Sequence, residues 1–247
     1  MISGGNNMKL IVCENYGEMS EKGAKIIAEL LKAKPNCILG LATGSTPVGM
    51  YEELVKMNKA GEITFKDVTT YNLDEYYPLA PDHDQSYRYF MNHNLFNHVD
   101  IDKSRTHVPN GLAGDPAAEG EAYDKAIENA GYTDLQVLGV GQNGHIGFNE
   151  PEEELYVGTH LTALTENTIE ANARFFASKD DVPTRAITMG MGSIMKARTI
   201  LVLAGGKNKH FVVSKMLDDR ITAFVPATLL KLHKDVILIC DKAAYEG

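Results

Sequence analysis

The chain has 247 residues, of which 44% are hydrophobic and 23% charged, and its formal net charge is -9. These values fit an ordinary globular protein with one large α/β domain or two small ones. No run of lysines or arginines is present, which argues against a nucleic-acid surface, because such surfaces need clustered cations. No stretch of about 18 apolar residues occurs, so we expect no membrane span and no membrane partner.

The cysteines and the amino terminus indicate the compartment. Cys13, Cys37 and Cys240 lie in apolar, strand-like runs without a C-x-x-C pair, as in reduced cytoplasmic proteins. The eight histidines show no metal-ligand spacing, so we predict no metal. Residues 1–7 lack the basic and apolar regions of a signal peptide, so we expect a disordered leader before a single domain over 8–247.

Strand-like apolar runs and helix-like apolar periods alternate along the chain. The predicted strands cover residues 10–13, 37–42, 68–73, 106–109, 135–141, 159–164, 186–189, 200–203 and 236–240. The predicted helices cover residues 19–31, 48–57, 84–99, 116–130, 166–176 and 211–217. This alternation predicts an α/β fold, with a Rossmann-like open, mostly parallel sheet and helices on both faces.

A small polar loop, Thr43, Gly44, Ser45 and Thr46, joins the second strand to a helix that begins near Pro47. Exposed backbone N–H groups at a helix start bind phosphate or another anion. Proline suits the first helical turn, and serine and threonine are also ordinary helix caps. The loop therefore predicts an anion site, with a simple cap as the alternative.

Two carboxylates, Asp74 and Glu75, follow the third predicted strand. If they are buried, each raises the pKa of the other, and a carboxylate with a raised pKa is a usable general base. The alternative is a solvated acidic turn that leads to Pro78.

The stretch 138–151 leads from a strand into a glycine-rich loop that carries one imidazole, His145. Histidine titrates near neutral pH, and the neighbouring Asn143 and Glu150 could orient its ring. We expect this loop at the carboxyl end of the sheet, where open α/β folds bind ligands. The alternative is a histidine that only hydrogen-bonds within a turn.

The same loop satisfies the dinucleotide pattern G-x-G-x-x-G through Gly139, Gly141 and Gly144. That pattern must open a helix, whereas residues 145–161 show no helical period. We therefore expect no nicotinamide or flavin site.

A lysine, Lys207, directly follows Gly205 and Gly206 at the end of a predicted strand. Most lone lysines are surface residues, but this position is a good phosphate candidate. The four strand ends together suit proton abstraction next to a carbonyl on a phosphorylated small molecule.

Four segments resemble motifs of the glucosamine-6-phosphate deaminases, also called glucosamine-6-phosphate isomerases. They are residues 41–47, 72–76, 139–151 and 172–176, and the likeness extends in the family's order from Met8 to about Asp241. The resemblance implies conversion of glucosamine 6-phosphate and water into fructose 6-phosphate and ammonia. It implies a small-molecule substrate and no cofactor, in a monomer or homo-oligomer.

The resemblance also implies roles for individual residues. His145 would assist opening of the pyranose ring, and Asn143 and Glu150 would fix its imidazole. Asp74 would take the proton from C2 and return it at C1.

Phosphate binding would fall to Ser45, Arg174 and Lys207, together with backbone N–H groups of the Gly44 loop. Some family members carry Asp where this chain has Asn143, so the pH optimum is expected to differ. Members activated by N-acetylglucosamine 6-phosphate have basic residues near His160 and Thr162, so this activation is not expected here.

Two other functions fit parts of the pattern. A 6-phosphogluconolactonase would share the phosphate loop, but the Asp74 and His145 motifs fit the deaminase better. A sugar-phosphate-binding module of a transcription regulator would need a basic recognition helix, and none precedes Leu10.

Overall fold

The computed structural model describes residues 8–173, 176, 178 and 181–247, without the side chains of 167, 168, 171 and 172. Its strands are β1 (Met8–Cys13), β2 (Ile38–Leu41), β3 (Thr69–Asn72), β4 (Asp74–Tyr77), β5 (Thr106–His107), β6 (Leu135–Gly139), β7 (His160–Ala163), β8 (Arg185–Thr188), β9 (Thr199–Ala204) and β10 (Val236–Asp241). Its α-helices are α1 (Tyr16–Ala33), α2 (Val48–Lys59), α3 (Tyr87–Met91), α4 (Pro116–Ala130), α5 (Glu166–Ala173), α6 (Met191–Met195), α7 (His210–Leu217) and α8 (Lys242–Glu246).

Within the described residues, seven strands form a main sheet in the order β1-β10-β9-β6-β2-β3-β5, and every neighbouring pair is parallel. In the central strands β6, β9 and β10, consecutive residues are buried. Because alternate side chains of a strand point to opposite faces, both faces of the sheet are covered. The predicted α/β fold with a mostly parallel sheet is confirmed.

Helix α1 begins at a side-chain cap and packs one apolar face into the core. The Asn15 side chain accepts a hydrogen bond from the Glu18 N–H and caps the helix. The residues predicted to share one face are all buried; they are Ala24, Ile27, Ala28 and Leu31. None of the helices in the described part of the chain is both long and apolar enough to cross a membrane.

A second, antiparallel sheet, in the order β4-β8-β7, contains the buried Asp74 and Glu75, so the alternative of a solvated acidic turn is wrong. Leu73 is the branch point between the sheets. Its N–H donates to the Leu41 carbonyl of the main sheet, and its own carbonyl accepts from the Met189 N–H beyond β8. The chain therefore passes directly from one sheet to the other, and Asp74 pairs with Thr188.

The predicted helix over 84–99 is wrong in its extent. The structure has α3 followed by a π-helical turn over Asn92–Phe96. The Asn94 side chain donates to the Phe90 carbonyl, which competes with the α-helical bonds of that carbonyl.

Candidate active site

The strand order reverses between the neighbouring strands β2 and β6. From β2 the chain proceeds outward to β3 and β5, and from β6 it proceeds outward to β9 and β10. In open α/β sheets, ligands bind in the crevice beyond the carboxyl ends of the strands at such a switch point. The loop after β2 and the loop after β6 flank this crevice, so the sequence-predicted segments do converge.

The loop after β2 is held by a tyrosine of α1. The Tyr16 hydroxyl lies 3.1 Å from the carbonyl oxygens of Ser45 and Thr46 and accepts from the Gly49 N–H at 2.9 Å. Gly44 has φ +88°, which favours glycine. A cleft of about 440 Å³ borders the loop; its lining residues are Tyr16, Ser45, Thr46, Val48 and Gly205.

Two lysines follow β9, and they differ in placement. Lys207 is exposed, at the start of a 3-10 helix over Lys207–Lys209. Lys209 is half-buried, and its Nζ donates to the Val140 carbonyl at the end of β6 at 2.7 Å. Burial lowers the pKa of Lys209. Sequence reasoning singled out Lys207 and missed Lys209. The two lysines lie two residues apart on a 3-10 turn, which has three residues per turn, so their side chains point in different directions.

The glycine loop that carries these lysines is anchored by Asp241 at the end of β10. Both carboxylate oxygens of Asp241 accept from the Gly206 N–H, at 3.0 and 2.9 Å. The same carboxylate caps α8 by accepting from the Ala244 N–H at 2.8 Å. Gly206 has φ +92°, so the turn itself requires glycine.

Asp74 is buried against the loop after β6. A Cβ built on Gly147 would lie 3.3 Å from Asp74 Oδ2 and 2.8 Å from Thr188 Oγ1, and Gly147 has φ +58°. Only glycine therefore lets this loop lie on the carboxylate. Burial, and next the charge of Glu75, raise the pKa of Asp74 to about 8.

Glu75 points away from Asp74, as alternate residues of a strand do. Its carboxylate accepts backbone hydrogen bonds from Tyr76, Tyr87 and Arg88 and so caps the start of α3. Burial raises the pKa of Glu75 to about 7, and these hydrogen bonds oppose the rise. The two adjacent carboxylates thus have different roles, with Asp74 at the site and Glu75 in the scaffold.

His145 is held by both predicted partners. Its Nδ1 lies 3.4 Å from Glu150 Oε2, and the ring is 32% exposed. Asn143 Nδ2 donates to the same Glu150 oxygen at 2.8 Å, while Asn143 Oδ1 accepts from the His145 N–H at 3.1 Å. The ring packs flat against Gly141, where a built Cβ would overlap the imidazole.

Hydrogen bonds connect the rest of this loop to the end of β8 and to the segment around residue 226. The Phe148 N–H donates to Thr188 Oγ1 at 3.1 Å, and Asn149 Nδ2 donates to the Met189 carbonyl at 2.8 Å. The Gly144 carbonyl accepts from the Ala227 N–H. No helix follows Gly144 in this described segment, as the lack of a helical period over residues 145–161 predicts.

Aromatic rings surround the Asp74 side of the crevice. The Tyr87 ring lies 4.8 Å from the Tyr76 ring and stacks on Phe148 at 6.1 Å. Burial raises the pKa of Tyr87, to which Tyr76 and Asp74 also contribute. These rings exclude water from the neighbourhood of the carboxylate.

Arg174, predicted to bind phosphate, lies outside the described residues, as does the side chain of Asn172 in the same motif. Across the described ranges, no group of three or more His, Cys, Asp or Glu side chains is placed to hold a metal ion.

An α/β sheet whose switch point joins a carboxylate, an imidazole and a polar loop at a helix start is characteristic of an enzyme. Residues 14–239 match the family model described as glucosamine-6-phosphate isomerases/6-phosphogluconolactonase. The chain therefore belongs to this family, as its motifs indicated.

Individual relatives refine the comparison. The glucosamine-6-phosphate deaminase of Clostridium perfringens (strain 13 / Type A) is 61% identical over 237 residues, which cover 96% of this chain and 98% of the relative. That of Thermoanaerobacter sp. (strain X514) is 56% identical, with 96% and 94% covered.

Solved structures agree. A monomeric glucosamine-6-phosphate deaminase superposes with a TM-score of 0.94 at 44% identity and covers 97% of this chain and 99% of its own. A 6-phosphogluconolactonase from Thermotoga maritima superposes with a TM-score of 0.76 at 21% identity, covering 95% of this chain and 100% of its own, which shows a shared fold alone.

Proposed function

We propose that this chain is a glucosamine-6-phosphate deaminase, which converts glucosamine 6-phosphate and water into fructose 6-phosphate and ammonia. The observation that carries the proposal is the contact between the Asp74 carboxylate and the loop of His145, at Gly147. A base and a proton carrier are thereby held at one crevice. The relatives at 56% and 61% identity support the same substrate.

Ring opening is the task of His145. The partly exposed imidazole reaches the crevice, while Glu150 faces its Nδ1 and Asn143 holds Glu150. In our proposal the neutral imidazole takes the proton of the C1 hydroxyl and passes it to the ring oxygen as the C1–O5 bond breaks, which yields the open aldehyde. A histidine suits this step because its pKa lies near the working pH.

Isomerisation is the task of Asp74. Its carboxylate takes the proton from C2, and the electron pair of that C–H bond forms the C1–C2 double bond. The π electrons of the carbonyl move to O1, which takes up a proton from solvent to give an enol. The nitrogen gives up a proton, and Asp74 returns a proton to C1, which leaves a C2 iminium. Water then adds at C2, and ammonia leaves. Each step needs only a base and a polarised oxygen, so no metal or redox cofactor is proposed.

Phosphate binding is assigned to the Thr43–Thr46 loop and to cations around it. Backbone N–H groups of Gly44 and its neighbours, with the Ser45 hydroxyl, would hold the phosphate oxygens. Arg174 and Lys207 remain predictions for this site. Lys209 is added, because its half-buried ammonium lies 2.7 Å from the Val140 carbonyl, just beyond the carboxyl end of β6.

We propose a cytoplasmic location, because all three cysteines are buried and unpaired. His160 is unsuited to bind an anionic activator, because burial lowers its pKa and its ring stacks on Tyr156 at 4.0 Å.

Ammonia release tests the function directly. Purified protein is supplied in turn with glucosamine 6-phosphate, its N-acetylated form and 6-phosphogluconolactone. We expect ammonia and fructose 6-phosphate from the first and no turnover of the other two. Lactone hydrolysis without ammonia release would overturn the proposal, and thermal stabilisation by the sugar phosphates without any turnover would indicate a binding module.

A further inference from the structure

Asp74 has no cationic partner among the described residues. No described N–H or O–H group donates a hydrogen bond to its carboxylate, and the charge that acts on it is that of Glu75. It is only 6% exposed. A buried carboxylate without a partner is costly, and proteins pair or neutralise such groups.

The groups that face Asp74 from the packed elements are acidic or uncharged. Tyr87 from α3 and Tyr123 from α4 are phenols whose raised pKa values owe a part to Asp74. Thr188 from β8 and Gly147 from the loop carry no charge.

Among the described residues, Arg88 brings a cation into this region, and it serves other groups. The half-buried Arg88 guanidinium donates to the Thr106 hydroxyl and carbonyl at 2.7 and 2.8 Å. Its charge acts on Glu75, and Asp74 does not share in it. Burial and Glu75 therefore hold Asp74 in its protonated form at neutral pH, with a pKa of about 8.

The proposed reaction brings the cationic nitrogen of the substrate close to the Asp74 carboxyl group. To take the C2 proton, a carboxylate oxygen must approach C2 to about 3–3.5 Å. The nitrogen of an amino sugar is bonded to that carbon, so its charge lies within about 4–6 Å of the oxygen, where an opposite charge lowers a carboxyl pKa by about 1–3 pH units.

We propose, building on the function above, that the C2 ammonium group of the bound amino sugar is the counter-ion that Asp74 lacks. In the ligand-free protein Asp74 is a protonated carboxylic acid. Binding of the cationic substrate converts it to the carboxylate that acts as the base. On binding, the O–H bond of Asp74 breaks and its proton leaves to water. The resulting carboxylate then accepts the C2 proton. A sugar phosphate with a neutral group at C2 leaves Asp74 protonated, so discrimination among sugars arises from charge.

Hydrogen exchange at C2 tests this inference apart from deamination. Glucosamine 6-phosphate and glucose 6-phosphate, which has a neutral hydroxyl at C2, are incubated at saturation in D₂O, and deuterium at C2 is followed by NMR. Asp74→Asn provides the blank for both sugars.

Glucose 6-phosphate brings no cation, so its C2 proton exchanges only when Asp74, with a pKa of about 8, ionises without help. The rate of exchange at C2 of glucose 6-phosphate should therefore rise about 30-fold between about pH 6.5 and about pH 9. Exchange in the amino sugar should change less than about fivefold over the same range. Equal pH dependence for the two sugars would overturn the inference. Ammonia release from glucosamine 6-phosphate would then still stand, so failure of this inference and failure of the proposed function are distinguishable.

A second variant, Glu75→Gln, removes the like charge beside Asp74 and keeps one acceptor oxygen for the start of α3. The midpoint for glucose 6-phosphate exchange should move to lower pH, while that for the amino sugar should move less. An unmoved midpoint in a variant with a normal thermal melt would contradict the charge mechanism. If the variant does not fold, the wild-type comparison of the two sugars decides the question.

Discussion

Asn143 donates a hydrogen bond of 2.8 Å to Glu150 Oε2, the oxygen that also faces the His145 ring. The amide thus holds Glu150 with its oxygen towards the imidazole, and it adds no charge of its own. This relationship gives the chain's departure from the Asp found in some family members a physical meaning.

Replacing the amide by a carboxylate, Asn143→Asp, should change the pH dependence of turnover. A second carboxylate beside Glu150 adds negative charge around the imidazole, and a nearby negative charge favours the protonated ring. We expect the acidic limb of the kcat profile to move to higher pH by about one pH unit. Asn143→Ser, which adds no charge, is the control. Superimposable profiles for wild type and Asn143→Asp would show that this position does not tune the imidazole.

The raised pKa of Asp74 makes stability depend on pH. The folded carboxyl titrates at about 8, whereas an unfolded one titrates at about 3.9. Between these values the folded chain holds a proton that the unfolded chain lacks, so the free energy of unfolding falls as pH rises through this window.

Asp74→Asn removes this titration. Relative to wild type, the variant should gain stability as the pH is raised from about 5 to about 8, by on the order of 1–3 kcal/mol. Denaturant unfolding of both proteins at the two pH values measures the difference. A constant difference would mean that Asp74 is ionised in the folded, ligand-free protein.

The two lysines after β9 can be separated by matched variants. Lys209→Met keeps the apolar stem but removes the half-buried ammonium, so KM for glucosamine 6-phosphate should rise about 10- to 100-fold with a smaller change in kcat. Lys207→Met removes an exposed ammonium two residues away. If Lys207→Met has the larger effect on KM, the phosphate contact belongs to Lys207.

Gly141 gives a steric test of His145. A Cβ there overlaps the imidazole, so Gly141→Ala should push the ring out of place and lower kcat by about tenfold or more. Gly139→Ala is the matched control, because a Cβ at Gly139 meets no atom within 4 Å. If the two variants have equal kcat, the position of the His145 ring is not important for catalysis.

Much of this site could be predicted because parallel strands place their carboxyl ends at one edge. The loops after β2 and β6 each carried local signals, such as Gly44 before Pro47 and His145 among glycines. Once the α/β alternation was recognised, their convergence followed from topology. The motif resemblance then supplied the order of roles.

The remaining features depend on contacts between distant segments. Leu73 branches between two sheets through partners at Leu41 and Met189, and no local pattern indicates such a branch. The division of labour between Asp74 and Glu75 likewise depends on where α3 begins. Lys209 was missed because its placement depends on a contact with the Val140 carbonyl, 69 residues away in sequence, just beyond β6.

The account depends most on Asp74 as the base in a site that still holds phosphate. Its most direct test is the rate of ammonia release from glucosamine 6-phosphate by Asp74→Asn, measured together with the binding of fructose 6-phosphate. Turnover should fall by at least about a hundredfold, the usual weight of a general base, while binding stays within about threefold of wild type. Near-normal turnover in the variant would contradict the account.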